Sequence, residues 1–149
     1  MPANPIDGFT IDRNAITYIG QDLQRPECIL AEPDGSLWSA DARGGVMHIR
    51  PDGTQALILQ SEATDFASAA SDEQRFTTGT LPNGLTFARN GDIVVSNFGT
   101  DRLELMTRHG DTRVLVERID GQPIGKVNFV LRDSAAVIGS RYQPGRQTG

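Results

Sequence analysis

The stretch Pro26-Glu27-Cys28-Ile29-Leu30-Ala31-Glu32-Pro33-Asp34-Gly35-Ser36-Leu37-Trp38-Ser39-Ala40-Asp41 decides how the chain is read, because its pattern is met a second time. From position 82 the sequence runs Pro82-Asn83-Gly84-Leu85-Thr86-Phe87-Ala88-Arg89-Asn90-Gly91-Asp92-Ile93-Val94-Val95-Ser96-Asn97. In each copy a short apolar run meets an Asp-Gly or Asn-Gly pair, and a second apolar run follows. Such pairs supply the positive φ that two-residue hairpin turns demand, so each copy predicts a β-hairpin.

Working outward, the copies stay in step. Val46-Met47-His48-Ile49, Pro51-Asp52-Gly53 and Ala56-Leu57-Ile58-Leu59 match Leu103-Glu104-Leu105-Met106, His109-Gly110-Asp111 and Val114-Leu115-Val116. Four short antiparallel strands in about 40 to 45 residues make the blade of a β-propeller, a unit that must stack on neighbours to bury its faces. A third copy opens at Val127-Asn128-Phe129-Val130-Leu131, followed by Arg132-Asp133-Ser134. The expected fold is therefore an all-β propeller with blades at about 18–60 and 81–118 and an incomplete one at 126–134. An N-terminal segment, 1–17, precedes them and an irregular tail, 135–149, follows. The extra residues between the first two copies fall in 61–80, where a short helix is expected around Phe66, Ala69 and Ala70 with Asp65 as its N-cap. Propellers close with roughly four to eight blades, so about three leave the ring incomplete. Either two chains complete each other as a homodimer, or the chain is a fragment.

The chain has 149 residues, enough for one domain. A net charge of −5 provides no global positive field for phosphates or anionic lipid, so nucleic acid and membrane are not expected partners. No apolar run approaches the length needed to span a bilayer, and Met1-Pro2-Ala3-Asn4-Pro5 lacks the basic and apolar regions of a secretory signal, so a cytoplasmic location is expected. One cysteine, Cys28, and two histidines, His48 and His109, exclude a thiolate cluster or a His-rich metal site, which leaves hard cations on oxygen ligands.

The first strand of a blade lies innermost, so equivalent residues at its start converge on the central channel. Those residues are Glu27, Asn83 and Asn128. One carboxylate and two amides form an oxygen-rich set of the kind Ca²⁺ prefers. The same residue types also bracket turns before strands, and both readings stand at this level. His48 and His109 have no Ser and carboxylate at a spacing that suggests a triad. Cys28 and Trp38 read as core, and the recurrence of Asp41 and Asn97 at the ends of equivalent second strands suggests a turn role.

Pro26-Glu27-Cys28, Asp34-Gly35-Ser36-Leu37-Trp38, Leu81-Pro82-Asn83-Gly84-Leu85 and Gly125-Lys126-Val127-Asn128-Phe129-Val130 together resemble the gluconolactonase, regucalcin and luciferin-regenerating enzyme family, over residues 18–134. The resemblance implies a six-bladed propeller with one divalent cation, Ca²⁺ first among candidates, that hydrolyses a sugar-type lactone or ester. In that family a Glu of the first blade, an Asn of the fourth and an Asp of the fifth hold the metal, with an Asn of the third beside metal and substrate. Glu27 falls on the metal ligand and Asn128 on the third-blade Asn. Asn83 falls on a second-blade position facing the channel, and with Asn128 it is assigned to substrate binding.

The fourth-blade Asn and the catalytic Asp have no counterpart, so catalytic residues stay unassigned and the chemistry is expected to be incomplete in a single chain. A non-catalytic propeller binding module and a fragment without function are the alternatives. After Ser134 the family pattern would give a Gly turn and a strand with Leu and Trp; instead comes Ala135-Ala136-Val137-Ile138-Gly139-Ser140. A frameshift or premature end near residue 134 is therefore expected.

Overall fold

Pro33 decides the first turn. A two-residue loop over Asp34 and Gly35 would require an N–H that Pro33 lacks, and closure moves back one residue. Glu32 N donates to Ser36 O at 2.9 Å and Gly35 N to Glu32 O at 3.0 Å, with Gly35 at φ 91°. This is a three-residue loop, a type I turn followed by a left-handed glycine. The same bonds close Arg50 on Thr54, Ala88 on Asp92 and Thr107 on Asp111, each at 2.8 Å. The expected two-residue turns are thus corrected to three-residue ones. A two-residue turn does occur at Asp120-Gly121, where both residues have positive φ, 49° and 78°.

The structure is a computed structural model that describes residues 6–61, 63, 71, 74, 79–135 and 138–143. The helix expected around Phe66, Ala69 and Ala70 lies outside them. The first blade is a four-stranded antiparallel sheet of β1 (Ile29–Ala31), β2 (Leu37–Asp41), β3 (Gly45–Ile49) and β4 (Gln55–Leu59), hydrogen-bonded in chain order. The second repeats it with β5 (Pro82–Phe87), β6 (Ile93–Asn97), β7 (Arg102–Met106) and β8 (Thr112–Val116). A small hairpin of β9 (Arg118–Ile119) and β10 (Gln122–Pro123) leads to β11 (Lys126–Arg132), which pairs with β12 (Ile138–Gln143). The fold is all-β and propeller-like, its sheets open and not joined into a ring. Among the described residues no helix is long and apolar enough to cross a membrane.

The tail read as irregular contains β12. Its local pattern is weak, but β11 presents a row of N–H and C=O groups that must be paired, and antiparallel pairing runs from Lys126↔Gln143 to Arg132↔Ile138.

Blades one and two are joined by an apolar layer. Trp38, Ala40 and Val46 interlock with Leu85, Ile93, Val95 and Met106, all 2% exposed or less. Alternation along each strand supplies this face, and full burial of a large apolar side chain contributes about 1.5–3 kcal/mol. Cys28 packs at its margin, as expected, with Sγ 3.7 Å from Leu85 O. The opposite face of blade one, carrying the buried Met47 and Ile49, is met by the residues entering the blade. Gly20 lies so close that a Cβ there would stand 2.8 Å from Ile49 Cδ1. Gln55 holds the same segment through Gln21, accepting from its N–H at 2.9 Å and donating to its carbonyl at 2.6 Å.

Candidate channel-face site

Asn83 and Asn128 owe their positions to two matching irregularities. The register of β5 on β6 passes from Pro82↔Asn97 to Gly84↔Ser96, which leaves Asn83 as an extra residue. On β11 the register slips between Val127 and Phe129, leaving Asn128 in the same role. Such β-bulges re-aim a side chain out of the regular alternation. Ser96 holds the first bulge, its Oγ accepting from Gly84 N at 2.8 Å and donating to Gly84 O at 3.3 Å.

The two inner strands approach closely because residue 84 has no side chain. A Cβ at Gly84 would sit 2.9 Å from both Phe129 Cα and Val130 N. Lys126 anchors the start of β11 to blade two, with Nζ 3.0 Å from Phe98 O and 2.8 Å from Asp101 Oδ1. The two amides therefore meet, Asn83 Nδ2 donating to Asn128 Oδ1 at 2.9 Å. Asn83 is 5% exposed and Asn128 is open to solvent. The contact uses one donor and one acceptor, leaving the Asn83 carbonyl oxygen and the Asn128 amide N–H groups to address a ligand.

Glu27 occupies the equivalent place in blade one, since Cys28 O accepts from Ala40 N at 3.0 Å where Gly84 pairs with Ser96. Its exposed carboxylate turns instead to Arg25, Oε1 lying 2.7 Å from Nε. Among the described residues no hydrogen bond or ion pair joins Glu27 to either amide, and no three His, Cys, Asp or Glu side chains gather as a metal site. Ca²⁺ takes about six to eight oxygens, so one ion-paired carboxylate and two mutually bonded amides do not form a cage for it.

Three polar arrangements, two buried and one partly exposed, hold these strands, and the sequence reading missed most of them. Asp41, fully buried, accepts from Gln24 N at 3.0 Å and from Arg43 N and Nε at 3.0 and 2.8 Å. Burial alone would raise its carboxyl pKa, but the Arg43 guanidinium and the two backbone N–H groups outweigh it and hold the value below the ordinary one. Asn97 does the same for blade two: its Oδ1 accepts from Leu81 N, Gly99 N and Thr100 N at 2.9, 3.2 and 3.2 Å. Its Nδ2 donates to Glu104 Oε2 at 2.9 Å, and Gln60 from the end of blade one reaches the same oxygen at 2.6 Å. The recurrence of Asp41 and Asn97 was the visible signal; their role includes the expected turn and extends to clamping the segment that enters each blade.

The third arrangement spans the blade boundary. Arg108 donates to both oxygens of Glu32 at 2.8 Å, and Trp38 Nε1 donates to Glu32 Oε2 at 2.6 Å. Arg108 also lies over Trp38, 4.9 Å from the ring centroid, and His48 stacks on Trp38 with centroids 3.9 Å apart. The Arg108 bonds bring the Glu32 pKa down to about 2, against a smaller opposing effect of burial. His48 is pushed below its ordinary value, first by burial and then by nearby Arg50.

No protein-family model and no curated protein matches the sequence. Solved structures do. The chain superposes with TM-score 0.59 and 16% identity on a catalytically inactive variant of virginiamycin B lyase from Staphylococcus aureus with quinupristin, over 83% of this chain and 36% of that one. It superposes with TM-score 0.56 and 22% identity on a protein given a provisional gluconolactonase assignment, over 87% of this chain and 45% of that one. The chain thus spans less than half the length of either structure, and what the likeness establishes is the fold, consecutive blades of the β-propeller type.

Proposed function

We propose that this chain forms part of the channel face of a lactone- or ester-hydrolysing propeller, with Asn83 and Asn128 as paired amides that bind the polar groups of a sugar-type lactone. The observation that carries this reading is their contact, two bulged asparagines on adjoining inner strands bonded at 2.9 Å. The likeness to the provisional gluconolactonase supports it at the level of the fold. A divalent cation, Ca²⁺ by donor type, belongs to the reading only with oxygen ligands beyond those described; Glu27 would be one ligand, and no step of the reaction is assigned to the ion.

What the chain's own residues can do is bind and orient. Asn128 N–H groups donate to a ring or carbonyl oxygen, the Asn83 carbonyl accepts from a hydroxyl, and the buried Ser96 and Gly84 fix both amides before the ligand arrives. The shortfall of cation ligands favours one alternative, a propeller module that binds without turnover. Calorimetric titration with an aldonolactone, combined with pH-stat hydrolysis with and without Ca²⁺, separates the two. Binding that weakens about tenfold in Asn83→Ala with Asn128→Ala, the loss of two hydrogen bonds at about 0.7 kcal/mol net each, supports the amide site. Hydrolysis abolished by chelator would add the enzymatic role, and turnover absent under both conditions would leave the binding module. Binding unchanged in the double variant would overturn the site.

A further inference from the structure

At the rim of the boundary between blades one and two lies a cleft of about 570 Å³, whose lining includes Trp38, His48, Arg50, Ala56, Arg108 and His109. It is separate from the amide pair. Asn83 stands at the Asn97 end of blade two, whereas Arg108 follows Met106 at the opposite end, where Ile93 pairs with Phe87. The floor of the cleft is one cross-strand row of blade one, in which Leu30, Trp38, His48 and Ala56 stand opposite one another on β1 to β4. Trp38 and His48 fill their places with flat rings, centroids 3.9 Å apart and planes 8° from parallel. Rings stacked across adjacent strands turn their faces along the row, so the imidazole face not covered by Trp38 is turned toward β4. The residue there is Ala56, exposed and carrying only a methyl, which leaves the fourth place of the row open. His48 Nε2 is buried with no hydrogen-bond partner among the described residues. That edge of the ring points into the protein, and what the ring offers the cleft is its face.

One cation overlooks the open place. Strand alternation puts Arg50 on the side of the sheet that carries His48, and its guanidinium makes a single hydrogen bond among the described residues, a long one of 3.5 Å to Thr54 Oγ1. Arg108, bonded to both oxygens of Glu32, adds no free charge. The carboxylates nearby are engaged: Glu32 by Arg108 and Trp38, Asp34 by Ser36 N and Oγ, and Asp52 by Thr54 N and Oγ1. Asp52 feels the charge of Arg50 without pairing with it, and none of the three lines the cleft. We propose that this cleft binds a planar aromatic carboxylate, its ring stacked on His48 over Ala56 and its carboxylate on Arg50. The row selects for flatness, because a ring at stacking distance from His48 continues the spacing already set by Trp38. Arg50 selects for negative charge. The volume is within the range of small-molecule pockets, about 300 to 1,000 Å³.

The inference is independent of the hydrolytic reading, because its site is separate and it is measured without turnover. Benzoate is the probe, with benzamide as its uncharged counterpart and cyclohexanecarboxylate as its non-planar one. Each is titrated into the wild-type chain while the imidazole proton resonances of His48 are followed, and His109→Gln tells them from those of the only other histidine. Benzoate is expected to shift them upfield and saturably, with a Kd in the millimolar range ordinary for so small a ligand. Cyclohexanecarboxylate should bind about fivefold more weakly, the worth of a ring contact beyond its area. Benzamide on the wild type, and benzoate on Arg50→Gln, should each bind about threefold to fivefold more weakly, the range of an exposed ion pair. Ala56→Leu fills the fourth place at an exposed position and should abolish the saturable shift while leaving urea unfolding unchanged. No saturable shift in the wild type, equal affinity for the planar and non-planar acids, binding indifferent to Arg50→Gln, or binding that survives Ala56→Leu would each overturn the proposal.

Discussion

Replacing Glu32 by Gln removes the charge from the clamp between the first two blades while keeping an acceptor for Trp38 Nε1. The fall of the Glu32 pKa from 4.5 to about 2 would correspond, at 1.36 kcal/mol per pH unit, to roughly 3 kcal/mol in a shielded pair. The pair is not shielded, because 21% of the Glu32 side chain and 35% of that of Arg108 are exposed. Solvent screening reduces the expected contribution to about 1–2 kcal/mol. The sign follows from the direction of the shift: a carboxyl lowered on folding stabilises the protein above its unfolded pKa. That stability is lost as pH falls from 4.5 through about 2. Trp38 is the only tryptophan, and it touches the clamp directly, so urea unfolding followed by its fluorescence reads the site. Glu32→Gln should cost about 1–2 kcal/mol at neutral pH, and the gap to wild type should close between pH 4.5 and 2. A gap that persisted unchanged through that interval would refute the charge-based account, and no gap at neutral pH would refute the clamp itself.

Two other substitutions test the packing around the candidate site and the boundary between blades. Gly84→Ala places a methyl against the backbone of Phe129 and Val130, and should cost about 1–3 kcal/mol while breaking the Asn83–Asn128 contact, visible as shifted side-chain amide resonances of both residues. His48 is held neutral by burial, its pKa below the ordinary 6.5, so the unfolded chain takes up the proton first and stability should fall as pH drops below 6.5. His48→Phe keeps a ring on Trp38 and should flatten that dependence in the same urea titrations; an unaltered slope would place its origin elsewhere.

The blades were legible because each strand buries one face against a neighbour, which writes a period of two into the sequence and repeats it from Pro26 to Pro82. Turn geometry was less so: Pro33 and Pro51 cannot donate the bond that closes a two-residue loop, but Arg89 and Arg108 at the equivalent positions of blade two can, and their loops also take three residues with a left-handed glycine last. The strand at Ile138–Gln143 was hidden because its cause is the unpaired edge of β11 and not its own composition. Of the site, the equivalence of Glu27, Asn83 and Asn128 could be read from the repeat, but the bulges that turn two of them together could not, since a register slip leaves no mark on residue type. The Glu32–Arg108 pair is separated by 76 positions, and nothing local distinguishes either residue from an ordinary surface charge.

The contrast between the amides and the carboxylate has a structural cause. Asn83 lies on a strand packed from both sides, by blade one through Leu85 and by β11 through Gly84, so its bulge is fixed by neighbours that are present. Asn128 is held on β11 by that packing and by Lys126. Glu27 precedes β1, and the described residues put no inner strand on its other side; the nearest opposite charge is Arg25, and the carboxylate goes there. An inner strand that carried oxygen ligands to that side would be needed before any cation could compete with Arg25 for the carboxylate. The amide pair is therefore a property of the two blades and third sheet themselves, whereas a cation site at Glu27 depends on whatever stacks against the far face of blade one.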